Sequence, residues 1–371
     1  MVNREIIVIG GGLAGLVTAI HLQNEGVKVT LIEKKAYPFH RVCGEYVSNE
    51  IKSYLVSLGV PLHHLDYKEI SSFQLTALTG KPIKSKLPLG GFGVSRYGFD
   101  GLLYTYAKNL GVEFVFDQVM DYSFIDSQFE VTTKNTKFFS KLLVCAYGKR
   151  SVLDGQLQRS FFKNKTPWMG VKAHYQLAKF PDNLVELHNF EGGYCGLSKV
   201  ETNHINCCYL IRLQQYQKFK NFEDLEKNVL SKNEYLKRFF ENATLSFEKR
   251  LVISQVSFEN KTRIENNALM IGDTAGLIHP LCGNGMAMAI HSAKIVSECI
   301  LDYQRHKNRL KLNSDFAKKW KISFKRRLFF GNLFQHLLLQ PKLTNFALQL
   351  VGNNKFIFQQ LIKQTHGKPL Q

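Results

Sequence analysis

Two short runs of this 371-residue sequence carry residue types at spacings that chemistry needs. The first is Gly10-Gly11-Gly12-Leu13-Ala14-Gly15, which reads GxGxxG, with Glu33 about twenty residues further on. In such a run Gly10 makes a tight turn, Gly12 lets a pyrophosphate approach the backbone, and Gly15 lets a helix lie close to a strand. The amides at Leu13 and Ala14 then stand at a helix N-terminus, where about half a positive charge faces the phosphates. Glu33 can accept hydrogen bonds from both ribose hydroxyls and repel a 2'-phosphate. The second run is Gly272-Asp273-Thr274-Ala275-Gly276, followed from Pro280 to Gly285 by P-x-x-G-x-G.

Both runs sit where the element pattern can position them. Residues 5–9 are an apolar stretch of strand character ending at Gly10, residues 16–25 are patterned as a helix, and residues 28–32 return as a strand that ends at Glu33. A single GxGxxG is weak evidence, but strand, glycines, helix, strand and acid in series read as a dinucleotide-binding unit. The apolar run at 268–271 delivers Gly272 and Asp273, and a helical pattern extends from Met286 to about residue 301. Between the two runs, strand alternation is expected at 112–116, 128–133 and 141–146. A helix is expected at 48–58 and another before Asn109, and residues 70–89 alternate in strand fashion. Residues 170–177, 185–190, 193–198 and 204–213 alternate between short polar turns and predict an antiparallel sheet.

Composition bounds the class. Hydrophobic residues make up 44% and charged residues 21%, as in an ordinary globular protein large enough for two domains. Seven cysteines without a CxxC spacing suggest neither a disulfide framework nor a zinc site, so no metal and a reducing cytoplasm are expected. The fingerprint starts almost at once, which argues against a cleaved leader, and no apolar run reaches membrane-spanning length. The net charge is +19, and residues 305–371 hold fourteen Lys or Arg against one acid, Asp315, so +13 of it is local. Within that tail Phe316, Trp320, Phe324 and Leu328 recur at four-residue spacing, flanked by lysines and Arg326. Such a helix packs its stripe on its own domain, or meets an anionic membrane face or an acidic protein. Nucleic acid is not expected, because charge is its only signal.

From residue 40 onward the sequence resembles a family. His40-Arg41-Val42-Cys43-Gly44-Glu45, Arg96-Tyr97-Gly98-Phe99-Asp100, Ala146-Tyr147-Gly148 and the Gly272-Asp273 loop are similar to the motifs of FAD-dependent oxidoreductases of the geranylgeranyl reductase type, within the para-hydroxybenzoate hydroxylase fold group. The resemblance covers nearly the whole chain and is tightest at 6–45, 93–111 and 268–293. It implies FAD held by Gly10, Gly12, Leu13, Ala14, Gly15, Glu33, Lys34, Arg41, Cys43, Gly44, Arg96, Val119, Gly148, Gly272, Asp273, Pro280, Gly283, Asn284, Gly285 and Met286. Arg96 would meet phosphates, although an ion pair with Asp100 at a helix start is equally available to it. Cys43 and His279 are the candidate proton donors near the isoalloxazine, against plain structural roles for each; Cys195 and Cys282 are expected in the same neighbourhood. Two departures bear on the substrate. The stretch 192–197 lacks the reductases' Trp and Phe-Pro as well as the halogenases' W-x-W-x-I-P, and Gly276 replaces the His of the hydroxylases' GDAAH.

The expected fold is therefore α/β, a Rossmann-like FAD-binding domain (1–70, 93–165 and 251–301) with an inserted antiparallel sheet domain for substrate (71–92 and 166–250) and a basic helical C-terminal region (302–371). The implied function is NAD(P)H-driven reduction of a carbon-carbon double bond in a hydrophobic lipid, isoprenoid or polyketide-like substrate, free or carrier-tethered, with NAD(P)H a transient visitor because no second GxGxxG exists. The alternatives are an FAD-dependent monooxygenase acting on an aromatic or polyketide-like substrate and, more remotely, a non-catalytic binding protein on the same scaffold. The expected location is cytoplasmic, with peripheral membrane contact through the basic tail.

Overall fold

The computed structural model describes residues 2–78, 82–278, 283–338, 360, 364 and 367–371. Its first sheet is built on strand Val2–Ile9, which pairs in parallel with Val29–Glu33 on one side and with Lys137–Cys145 on the other. Glu113–Phe116 and Ala268–Met270 extend the parallel core outward, and Ile264–Glu265 caps one edge in antiparallel register. All five residues of Val29–Glu33 are buried, as parallel strands covered on both faces must be. Helices Leu13–Asn24, Arg96–Asn109 and Gly285–His306 pack against one another and this sheet around a core that includes Ile6, Leu16, Ile20, Phe99, Leu103 and Ile290. A hairpin of Val119–Ile125 and Gln128–Thr133 flanks it, joined through the second strand to Lys137–Cys145.

The order of connection fixes where a ligand can sit. The chain leaves the central strand to one side first and returns to the other side later, so the turns after the two neighbouring strands part company above it. A crevice opens there at the carboxyl ends. Gly10 follows strand Val2–Ile9, Glu33 ends Val29–Glu33, Ala146-Tyr147-Gly148 follows Lys137–Cys145 and Asp273 comes shortly after Ala268–Met270.

The second sheet has nine strands among the described residues. Trp168–Gln176, Leu184–Phe190, Gly193–Lys199 and Ile205–Arg212 lie within one to two residues of the sequence expectation and pair antiparallel. Strand Lys68–Thr76 joins them by a parallel ladder to Leu184–Phe190, and Ile83–Gly93 follows as its antiparallel neighbour. Side chains alternate between faces. Met169, Val171, Ala173, Cys195 and Cys207 face an outer core closed by the helices Phe222–Asn228 and Glu234–Asn242. Gly170, Gly196, Cys208 and Leu210 face inward. Helix Arg309–Leu338 closes the molecule by packing Phe316, Trp320 and Phe324 inward on Gly285–His306, with Trp320 Nε1 donating to Ser292 Oγ at 3.2 Å.

Candidate active site

The glycine turn does what its spacing requires. Gly10 adopts φ +102°, and a Cβ there would stand 2.5 Å from the carbonyl oxygen of Ala146. At Gly15 a Cβ would come within 1.9 Å of the Gly10 carbonyl oxygen, which is the close helix-to-strand approach that only glycine permits. Gly12 is the N-cap of its helix and offers no side-chain cap, so the first-turn amides point outward uncovered. Helix Gly285–His306 likewise starts with no side-chain cap. Two helix N-termini thus converge on one cavity.

That cavity measures about 1230 Å³ and lies between the two sheets. Gly12 and Asp273, 261 positions apart in sequence, both line it, as do Gly10, Leu13, Ala14, Glu33, Lys34, Arg41, Cys43, Gly44, Arg96, Val119, Gly148, Gly272, Gly283, Gly285 and Met286. Gly15 supports the turn from behind. Asn284 is fully buried and turns its amide to Glu50 Oε2 at 3.4 Å, so its side chain packs behind the loop. His279, Pro280 and Cys282 lie outside the described residues. Cys195 is a correction: the strand's alternation sends its thiol to the outer core, 3.5 Å from that of Cys207, while Cys208 takes the place near Cys43.

The polar rim at the glycine turn is a single network. Glu33 Oε2 accepts from the Gly11 amide at 2.8 Å and from Arg41 Nη2 at 3.3 Å. Arg41 also donates to the Gly11 carbonyl at 3.1 Å and to Asp100 at 3.0 Å, and Tyr37 Oη donates to the same carbonyl at 2.5 Å. Arg96 grips Asp100 with both its Nε and Nη2, each at 2.7 Å. The ion-pair reading of Arg96 therefore holds together with its place on the cavity wall. Asp100 fixes the guanidinium so that its remaining donors stay available to an anion. At the far end Gly148 and Thr274 exchange two hydrogen bonds, Gly148 N to Oγ1 at 2.8 Å and Oγ1 to the Gly148 carbonyl at 3.2 Å, tying the two loops together. Lys261 Nζ braces this corner by donating to the Lys149 and Asp273 carbonyls at 2.8 and 2.9 Å. Burial pulls the pKa of that ammonium down to about 8, against the opposing pull of Asp273 and Asp154.

The fit to a dinucleotide with a ring system rests on these features. A Cβ at Gly44 or Gly148 would meet nothing within 4 Å, so both backbones border open space, and Gly148 holds φ +93° there. The volume exceeds the roughly 300–1000 Å³ of common small-molecule sites, enough for a large cofactor and a second molecule beside it.

One part of the site reaches beyond the sequence motifs. Glu45 is fully buried at φ +53°, a left-handed conformation unfavourable to a side chain of its kind. Its carboxylate accepts from the Arg96 amide at 2.7 Å, from Lys172 Nζ, and from His174 Nε2 at 2.6 Å, and both partners are buried. Burial pushes the Glu45 carboxyl up, but Lys172 and His174 outweigh it and hold its pKa at about 2. His40 stands edge-on to His174 and lines the cavity, and burial, Lys172 and His174 bring its pKa down to about 4. His40, Glu45 and His174 approach one another within 4.8 Å, a spacing that could suit a metal ion. The Lys172 ammonium already occupies the carboxylate, however, and supplies the positive charge a metal would bring. Asn206 and Ser198 of the same sheet reach the Cys43 and Gly44 carbonyls at 3.2 and 3.4 Å. The second sheet therefore holds the 43–45 turn by side chain and backbone together. Only the period-2 placement of Lys172 and His174 on the inner face of a strand could have signalled this.

The fold is shared with flavin-dependent halogenases and with a geranylgeranyl reductase-like protein. A family model for the NAD(P)-binding Rossmann-like domain matches residues 8–74. The flavin-dependent brominase Bmp2 superposes with a TM-score of 0.81 at 17% identity, over 98% of this chain and 93% of that one. A geranylgeranyl bacteriochlorophyll reductase-like protein from Thermoplasma acidophilum gives 0.79 at 17% identity, over 98% and 96%. In sequence the chain is 25% identical to conditioned medium factor receptor 1 of Dictyostelium discoideum over 339 residues, 80% of this chain and 63% of the relative, so it spans somewhat under two thirds of that protein's length. The FAD-dependent oxidoreductase oblC of Cochliobolus heterostrophus is 27% identical over 99 residues, 22% of this chain and 20% of the relative.

Proposed function

We propose that this chain binds FAD and uses NAD(P)H to reduce a carbon-carbon double bond in a hydrophobic substrate. The observation that carries the reading is the composition of the cavity beyond the cradle, where Leu75, Leu187, Leu210, Ile253, Val256 and Leu277 form its walls. An apolar chamber of that kind takes an apolar molecule and excludes water from the place where it meets the cofactor.

The residues divide the work by position. The helix start at Gly12 to Ala14 and the Arg41 and Arg96 guanidinium groups would hold the diphosphate, Glu33 the ribose, and Asp273 with the helix start at Gly285 the ring end. FAD, when bound, supplies hydride transfer between the nicotinamide and the alkene. The alkene gains one hydride and one proton while NAD(P)H is oxidised to NAD(P)+. Cys43, on the cavity wall, is the candidate source of that proton. Its backbone carbonyl accepts from Asn206, and its side chain meets the Arg96 guanidinium.

A flavin monooxygenase would use the same cradle, and the halogenase neighbours share the fold, so the test must separate these chemistries. Purified protein is reduced anaerobically with NADPH or NADH and then offered candidate alkenes or oxygen. Reoxidation by an alkene with saturated product supports the reading. Reoxidation by oxygen alone, with one oxygen atom gained by the substrate, overturns it in favour of the monooxygenase. A chain that purifies colourless and takes up no FAD would place it with non-catalytic binding proteins.

A further inference from the structure

Among the described residues, helix Arg309–Leu338 has an outward face that touches the cavity only at its Leu333 end. At 3.6 residues per turn, Ile322, Phe329 and Leu333 fall within about 40° of one another on the helix surface. They are 71%, 63% and 43% exposed. On either side of this ridge stand the exposed cations Lys318, Lys319, Lys325 and Arg326. The opposite face is anchored by Phe316, Trp320 and Phe324 and by the 2.8 Å ion pair of Arg327 with buried Glu50, so the helix cannot roll to hide the ridge.

We propose that this face docks on an anionic phospholipid surface, with the mouth of the cavity turned toward the lipid. An exposed apolar ridge bordered by cations matches the boundary between headgroups and acyl chains, where the ridge enters the apolar layer and the cations pair with lipid phosphates. Ten basic residues against one acid over 305–338 supply the complementary charge, and no helix among the described residues is long and apolar enough to cross a membrane, so the contact is peripheral. A second copy of the chain fits the face less well, because pairing two such ridges would bring two cationic borders together. Nucleic acid would need the charge but not the ridge.

Continuity with the cavity gives the contact a purpose. Phe330 and Leu333, on the same end of the helix, line the cavity whose inner walls are apolar. A hydrophobic substrate could then pass from lipid to chamber without crossing water. This step rests on the proposed hydrophobic substrate; the docking itself does not.

The test uses the full chain loaded with FAD, sedimented with vesicles of phosphatidylcholine alone or mixed with phosphatidylglycerol. Binding to the mixed vesicles, little to the neutral ones, and weakening as salt rises is expected. Lys318→Glu/Lys325→Glu/Arg326→Glu and, separately, Ile322→Ser/Phe329→Ser should each reduce the partition roughly tenfold or more. Both variants should retain the wild-type flavin spectrum, which shows that they fold and keeps this outcome separate from the chemistry of the site. Equal binding to the two vesicle types, or unchanged binding by the charge-reversal variant, overturns the proposal. So does a dimer in sedimentation equilibrium that Phe329→Ser dissociates, or capture by an immobilised acidic polypeptide in place of vesicles.

Discussion

Removing the charge of Glu45 tests how the two sheets are held together. Glu45→Gln keeps the shape but leaves the fully buried Lys172 ammonium without its counter-ion and forces the amide to face the Arg96 N–H or His174 with a donor of its own. Breaking one side of a buried ion pair costs about 3–5 kcal/mol, because an uncompensated charge stays in a place of low dielectric. The strained φ of +53° adds to the effect, since the contacts that hold the backbone there are lost. Lys172→Met strands the carboxylate in the same way. The double variant Glu45→Gln/Lys172→Met removes both charges and should cost less than the sum of the two single variants by roughly 2–3 kcal/mol. Urea unfolding of the four proteins, followed by fluorescence, measures this. A single Glu45→Gln variant within about 0.5 kcal/mol of wild type would refute the reasoning, because surface substitutions without buried partners fall in that range.

Two further outcomes follow from the geometry. Gly15→Ala puts a Cβ within 1.9 Å of the Gly10 carbonyl oxygen, so the helix must move off the strand; a loss of about 1–3 kcal/mol in stability and weaker FAD uptake are expected, read by thermal unfolding with and without FAD. Stability should also fall on the acid side in two stages. Burial, with Lys172 and His174 beside His40 and with Arg327 and Lys294 beside His291, brings both imidazoles down to about 4 from 6.5, so the unfolded chain takes up protons first. Their contribution is complete above pH 6.5 and is lost as pH falls toward 4. Glu45, held at about 2 against 4.5, adds a contribution complete above pH 4.5 and lost as pH falls toward 2. Urea midpoints measured from pH 8 to pH 3 check the sign; a rise on acidification would contradict it.

The sequence made legible what depends on backbone rules. Gly10 and Gly15 announce their conformations because a Cβ at either would run into backbone, and the alternation at 170–213 reads out four strands of the second sheet to within two residues because one face is buried and the other faces a cavity. The parallel ladder between Lys68–Thr76 and Leu184–Phe190 was beyond such reading, since pairing over so long a separation leaves no local trace. The placement of Cys195 depended on which face of its strand is inward, and a shift of one residue reverses that. Val119–Ile125 escaped because its alternation is broken by a bulge at Val119 to Asp121. The Glu45, Lys172 and His174 cluster joins residues more than 120 positions apart, and each alone looks like a surface charge. The Arg96 to Asp100 ion pair was readable, because a partner four residues away on a helix is a local matter.

The most direct test of the central claim is the affinity for FAD, measured by fluorescence titration of flavin-free protein, for wild type and for Asp273→Ala. The account predicts one FAD per chain and a loss of about 10- to 100-fold on removing the carboxylate, the value of a hydrogen bond to a charged group at 1.5–3 kcal/mol. It also predicts a similar loss for Arg96→Met at the other end of the cavity. Absence of FAD binding, or full affinity in both variants, would contradict the claim that the opening glycine turn and the late Asp273 loop enclose one cofactor.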